Sequence, residues 1–428
     1  MTEREFIFYR DDQDMDTEGF LWDWEESLEF IREGENAEGL ASVLVAFASK
    51  FGLSGNLWQQ WLAYVLMMHE NPFTLASERR TVEEDSTMLQ LAKRDFEIFM
   101  ELMNADIGAI GSSDERYMLS LLKDYRPPYK DAACCRSGKI IAALADKLAA
   151  SKDSDDFAEN ISAYYKDHGA GIFGLYSAFR IAGDDEDFEI VPVTDAKDVG
   201  FDQLVGCDDQ TAVLRENTEA FLKGLPANNV LLYGDSGTGK STSIHALMHD
   251  YADSGLRLVE ITKTDRSKLP KVLSEIKKRN YKFILFLDDL SFEEDESDYK
   301  ELKAMLEGAL ESGKDRVLIY ATSNRRHLVR EVWRDRNDME HDNDVHRSDT
   351  LEEKLSLASR FGITIYYSKP NQEEYLKIVK TLAERNSIKI SDKELEDLAR
   401  KWEIKHGGRS GRAAKQLIAW LKAEESAK

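Results

Sequence analysis

The sequence predicts an α/β domain built on a five-stranded parallel sheet, closed by a C-terminal helical lid and preceded by an all-helical N-terminal domain. Three observations lead there. Apolar residues recur at helical spacing from Leu21 to about Arg180. Short apolar runs then alternate with polar, helix-like segments, and beyond Pro370 only helical patterns remain.

In the first part, Leu57, Trp61, Tyr64 and Val65 form one stripe and Phe96, Phe99, Met100 and Met103 another. Such spacing is helix packing, and no chemistry is assigned to it. Pro127-Pro128 and Gly169-Ala170-Gly171 punctuate the region without dividing it. The acidic run at residues 183–187 (Gly-Asp-Asp-Glu-Asp) marks the main boundary. The expected division is a helical domain over 1–182, an acidic linker over 183–200, a sheet domain over 201–369 and a lid over 370–428.

Residues 230–233, 256–261, 283–287, 317–321 and 363–367 suit buried strands, and the helix-like segments between them supply the crossovers that parallel pairing requires. In the lid, Tyr375, Leu376, Val379 and Leu382 mark a first helix. Ser391 and Glu394 form a capping box opening a second, with Leu395, Leu398 and Trp402; the third buries Ala413, Leu417, Ile418 and Leu421.

Composition limits the partners. The 428 residues carry a formal charge of −24, so nonspecific attraction to nucleic acid or an anionic membrane is disfavoured, although a local basic face formed by Lys277, Lys278, Arg279, Arg325, Arg326 and Arg330 stays open. Cys134, Cys135 and Cys207 lack metal-ligand spacing and fit reduced thiols in a cytoplasmic protein. The charged N-terminus and the absence of a long apolar stretch predict neither export nor membrane insertion.

The chemistry begins at residues 234–241 (Gly-Asp-Ser-Gly-Thr-Gly-Lys-Ser), a complete P-loop pattern between a strand and a helix. Its glycines let successive backbone N–H groups face phosphate oxygens at the positive end of the helix. Asp235, Ser236, Gly237, Thr238, Gly239, Lys240, Ser241 and Thr242 are therefore the expected phosphate-binding residues, with Lys240 at the β- and γ-phosphates and Ser241 at Mg²⁺. Asp288 and Asp289 end an apolar strand where ligands of open α/β sheets collect. Asp288 suits the second Mg²⁺ ligand and Asp289 the group that polarises the attacking water. His341, Asp342, Asp344 and His346 lack rigid helical spacing and are read as a solvated loop, leaving Mg²⁺ as the expected metal.

With these residues in view, about Phe201 to Lys422 resembles the AAA+ ATPase superfamily. The resemblance implies that Asn324 is the polar sensor 1 residue near the γ-phosphate, Arg360 in the box at residues 357–362 (Leu-Ala-Ser-Arg-Phe-Gly) the arginine finger, and Arg412 the sensor 2 residue. It also implies that Val205 and Gly206 lie nearest the adenine. Residues 228–234, 286–292 and 321–328 are similar to a bacterial ATP-binding family catalogued as domain of unknown function 815. Two departures stand out. Asp289 replaces the usual longer glutamate and is kept in that role over Glu293 or Glu294, and residues 262–269 lack the aromatic-apolar-Gly pore loop of substrate-threading unfoldases.

The expectation is an ATP- and ADP-binding protein that hydrolyses ATP with Mg²⁺ to change the conformation of a partner or assembly. It includes a homo-oligomer with a trans arginine finger and a protein client held by the N-terminal domain. The alternative is a nucleotide-gated binding module or nucleic-acid loader with slow hydrolysis, favoured by Asp289 and the missing pore loop.

Overall fold

A computed structural model describes residues 6–9, 36–129, 134–184, 187–194, 199–290, 316–324, 360–406 and 408–426. Chain contacts divide it into two units, Met1–Tyr176 and Ser177–Lys428. Among its described residues the first has helices as its regular elements, with one isolated antiparallel bridge between Gly55 and Tyr125. It contains α1 (Ala37–Phe51), α2 (Leu57–Met68), α3 (Pro72–Arg79), α4 (Thr87–Met103), α5 (Ser113–Leu122), α6 (Arg136–Ala149), α7 (Ser154–Asp167) and α8 (Gly171–Leu175). Local sequence sets several starts: Asn56 accepts the Gln59 N–H ahead of α2, while Asn71 and Thr74 form a capping box around Pro72. The predicted stripes are core except for half-buried Met100, with Trp61 and Phe99 fully buried. Residues Phe6 to Tyr9 pack onto this core, and buried Asp95 accepts the Ile7 and Phe8 N–H groups at 2.8 Å each.

The second unit holds one sheet: β1 (Ala178–Gly183), β2 (Phe188–Pro192), β3 (Val230–Gly234), β4 (Leu256–Ile261), β5 (Lys282–Leu287), β6 (Val317–Ser323) and β7 (Ile363–Tyr367), in the order β2-β1-β4-β5-β6-β3-β7. The strands expected from sequence are β3 to β7, and all their pairings are parallel. The count is corrected from five to seven. β1 pairs parallel with β4, and β2 antiparallel with β1 at the edge.

The additional strands also change the boundary. Within the span expected as a linker, Gly183 ends β1 and residues 188–192 form β2, and chain contacts divide the units after Tyr176 rather than at 182. β1 has only two buried inward residues, Phe179 and Ile181, too few to stand out as period-two alternation after a helical stripe. In β2, Glu189 and Pro192 imitate loop composition, which an edge strand tolerates because one side needs no ladder bonds.

Helices α9 (Asp208–Leu222), α10 (Lys240–Tyr251) and α11 (Leu269–Lys277) accompany the sheet. Val230, Leu232, Ile244, Leu247, Ile284 and Phe286 form the centre of its core, each contributing about 1.5–3 kcal/mol by burial. The lid is α12 (Gln372–Arg385), α13 (Asp392–Lys405) and α14 (Gly411–Ser426), packed around Tyr375, Val379, Leu395 and Leu417. Ser391 caps α13 by accepting the Glu394 N–H, but the Glu394 side chain does not return the bond, so the expected box is only half made; Asn371 and Glu374 make the reciprocal capping box on α12 instead.

The segment after β4 is a 3₁₀ turn, Lys263–Lys268, whose Lys268 Nζ donates to the Gly183 carbonyl at 2.7 Å. It is tied to the edge hairpin. Among the described residues, no helix is long and apolar enough to cross a membrane.

Candidate functional site

Parallel pairing of β5 with β6 and of β6 with β3 gathers their C-terminal ends. The P-loop, the Asp288-Asp289 pair and Asn324 are therefore neighbours despite their separation in sequence. At the end of β3, Gly234 has φ +134° and its missing side chain leaves room for the Tyr367 carbonyl, which a Cβ would meet at 2.0 Å. Gly237, at φ +76°, lies against the start of α14, where a Cβ would sit 3.2 Å from that of Arg412. The loop needs glycine at both points.

Lys240 is 7% exposed and its ammonium donates to three acceptors: Gly234 O at 2.9 Å, Asp235 O at 2.7 Å and Asn324 Oδ1 at 3.0 Å. Burial holds its pKa below the ordinary lysine value; Asp235, Asp289 and Asp288 pull it back up, and Arg412 pushes it lower. The amide of Asn324 also donates to Asp289 Oδ1 at 2.8 Å. One side chain thus joins the cation to the carboxylate. Asp289 has φ 50°, a left-handed conformation uncommon for a residue with a side chain.

Asp288 is held at a single oxygen. Its Oδ1 accepts from Ser241 Oγ at 2.7 Å, Thr322 Oγ1 at 2.5 Å and the Asp289 N–H at 3.1 Å. Adjacent hydroxyl and carboxylate oxygens are the donor set that a hard divalent cation takes, so Ser241 and Asp288 fit Mg²⁺. Among the described residues there is no cluster of three or more His, Cys, Asp or Glu suited to another metal.

These groups floor a cleft of about 990 Å³ between the sheet and the lid, polar at the P-loop and apolar where Leu204, Val205, Ile378, Leu382 and Ala419 meet. A nucleotide, charged at one end and aromatic at the other, fits that polarity. Val205, Gly206 and Ser236 through Thr242 line it, as do Asp288, Asp289, Asn324 and Arg412. The Asp235 side chain instead pairs with Lys369 at 3.7 Å, while its backbone serves Lys240. Arg360 lies before β7, at the end of that strand away from the cleft. Cys207 also lines the cleft; burial, with Asp208 and Glu374 nearby, pushes its thiol up to about 11.

The sequence reading did not single out Thr322 or the lid residues Lys377, Lys415 and Gln416. A signal for the last two exists: Arg412, Lys415, Gln416 and Ala419 share one helical face, opposite the apolar stripe of α14. Arg279 is buried beside the Tyr281 ring, with 5.8 Å from its guanidinium to the ring centroid, so it does not contribute to an open basic face. Glu293, Glu294, Arg325, Arg326, Arg330, residues 357–359, His341, Asp342, Asp344 and His346 lie outside the described residues.

A family model described as protein of unknown function (DUF815) matches residues 175–425, nearly the whole second unit. Two curated proteins, the proteasome-activating nucleotidases of Methanococcus maripaludis strains C7 and S2, are each 24% identical over 214 residues. The match covers 47% of this chain and 50% of each relative, so the chain spans about half the length of the curated relatives it matches. Among solved structures, the RuvB Holliday junction branch migration motor of Thermotoga maritima is similar at TM-score 0.37 and 18% identity, over 52% of this chain and 63% of that one. The AAA domain of FIGL-1 in complex with ADP gives TM-score 0.35 and 20% identity, over 52% and 72%.

Proposed function

This chain belongs to the family described as protein of unknown function DUF815, and from that premise we propose that it is an AAA+ ATPase whose cleft binds Mg²⁺–ATP and hydrolyses the γ-phosphate. One observation carries the reading: the Lys240–Asn324–Asp289 chain of hydrogen bonds beside the Ser241–Asp288 pair. In this account Lys240 and the P-loop N–H groups hold the phosphates, Asn324 orients water, and Asp289 accepts its proton. Ser241 and Asp288 hold Mg²⁺, which supplies charge neutralisation at the phosphates when bound. Val205 and Gly206 face the adenine, and Arg412 carries the state of the phosphates to the lid.

Assembly follows from Arg360. Between it and the cleft lies the length of β7, on the order of 20 Å at the rise of an extended strand, which supports a finger serving a neighbouring copy's nucleotide. The output is movement of the lid against the sheet, passed to an assembly or to a protein client held by the helical unit in the cytoplasm. A second reading, a nucleotide-gated module with slow hydrolysis, is favoured by one feature: the Asp289 carboxylate is already engaged by Asn324. ATP and ADP titrations followed by phosphate release, with and without single-stranded DNA, test the proposal. Saturable binding with Mg²⁺-dependent turnover supports the ATPase; binding without turnover supports the switch, and no binding refutes both.

A further inference from the structure

We propose that Thr322 is a positioning residue that aims the Asp288 carboxylate at the cation and locks the turn carrying Asp289; the inference rests on the Mg²⁺–ATP reading above. Thr322 lies in β6, 2% exposed. A threonine hydroxyl has one hydrogen to give and two lone pairs. Here the hydrogen goes to Asp288 Oδ1 at 2.5 Å and a lone pair accepts the Asp289 N–H at 2.9 Å. Its carbonyl takes the Leu290 N–H at 2.7 Å, so one residue makes three bonds to the turn over residues 288–290.

Two consequences follow. Ser241, Thr322 and the Asp289 N–H all converge on Oδ1, which fixes the carboxylate plane and leaves Oδ2 without a donor among the described residues. A cation ligand is thereby presented with one oxygen committed and the other open. The same hydroxyl also holds the N–H of Asp289, the residue at φ 50°, whose side chain Asn324 grips from the other end. Strained backbone persists only where its surroundings over-determine it, and Thr322 supplies three of the bonds that hold this turn. Thr322 does not touch the reacting atoms; it acts through Asp288 and Asp289.

The test uses the full chain with Thr322→Val, which keeps the shape and removes the hydroxyl, and Thr322→Ser, which keeps the hydroxyl. Mn²⁺ is titrated by electron paramagnetic resonance in the presence of ADP, and ADP affinity is measured separately in EDTA. Loss of an outer-shell partner of this kind weakens metal binding about 10- to 100-fold. The Val variant should show that loss with ADP affinity in EDTA unchanged, and the Ser variant should stay near wild type. A Val variant that titrates like wild type, or a Ser variant that loses as much as Val, overturns the proposal. If circular dichroism shows the Val variant unfolded, Thr322→Ala is read by the same criteria. Wild-type protein that binds neither ADP nor Mn²⁺ refutes the Mg²⁺–ATP reading along with this inference, whereas wild-type binding that Asp288→Asn abolishes leaves that reading standing and lets the Val variant decide on Thr322 alone.

Discussion

Replacing Lys240 by alanine should cost the protein most of its affinity for ATP while leaving its fold intact. The ammonium makes three hydrogen bonds to Gly234, Asp235 and Asn324, and phosphate oxygens must compete for those donors. Two charge-assisted bonds to phosphate are each worth about 1.5–3 kcal/mol, and the internal bonds given up offset part of this. The net loss is about 2–4 kcal/mol, or about 30- to 1000-fold in Kd. The titration of Lys240 gives a second readout. Burial depresses its pKa, so the charged form costs stability below the folded-state value, and that cost is relieved as pH rises through it toward the unfolded lysine value. Phosphate negative charge reverses the preference and restores the ammonium. Binding at a pH between the depressed folded-state value and the ordinary lysine value should therefore take up protons. Calorimetry in two buffers of different ionisation enthalpy measures both quantities. An Ala variant with wild-type Kd, or with undiminished proton uptake, refutes the assignment of Lys240.

Asp289→Asn should keep Mg²⁺–ATP affinity and lose about 10²- to 10⁴-fold in turnover, because the amide preserves an acceptor for Asn324 but takes no proton; wild-type turnover would remove Asp289 from the mechanism. Arg360→Ala should bind ATP normally yet hydrolyse it slowly, and mixing it with Lys240→Ala should restore activity, since each supplies what the other lacks; a mixture no better than its components contradicts a shared site. In the helical unit, Asp95→Ala removes the acceptor of two part-buried N–H groups and should cost about 1–3 kcal/mol in urea unfolding, with a change under about 0.5 kcal/mol showing that residues 6–9 add nothing. Burial raises the Asp95 pKa, so its contribution to stability falls as pH rises from the ordinary carboxyl value through the raised one, a slope that Asp95→Asn should remove.

Much of the sheet is legible because β3 to β6 are buried along nearly their whole length and read as largely apolar runs, while β7, last in the sheet order, shows the alternation of a half-exposed strand. The edge hairpin is not, since β1 buries two residues and β2 carries Glu189 and Pro192. Gly234 through Ser241 stand together in the chain, so their chemistry could be read in one window. Thr322 could not, because its role depends on β6 lying beside β5 and bringing its hydroxyl to Asp288. Its only trace in the sequence is a hydroxyl two residues before Asn324, on the same side of an extended strand. Likewise, the residues of α14 that line the cleft are visible as a helical face, but which face meets the cleft is set by docking of the lid.

The central claim is that this cleft performs hydrolysis as well as nucleotide binding. A single-turnover experiment tests it most directly, with protein in excess over ATP labelled at the γ-phosphate and the reaction quenched over time in Mg²⁺ or EDTA. The account predicts that wild-type protein converts the bound ATP to ADP and phosphate in Mg²⁺, that EDTA stops this, and that Asp289→Asn holds the ATP uncleaved. ATP recovered intact from wild-type protein in Mg²⁺, at concentrations that allow copies to associate, would contradict it.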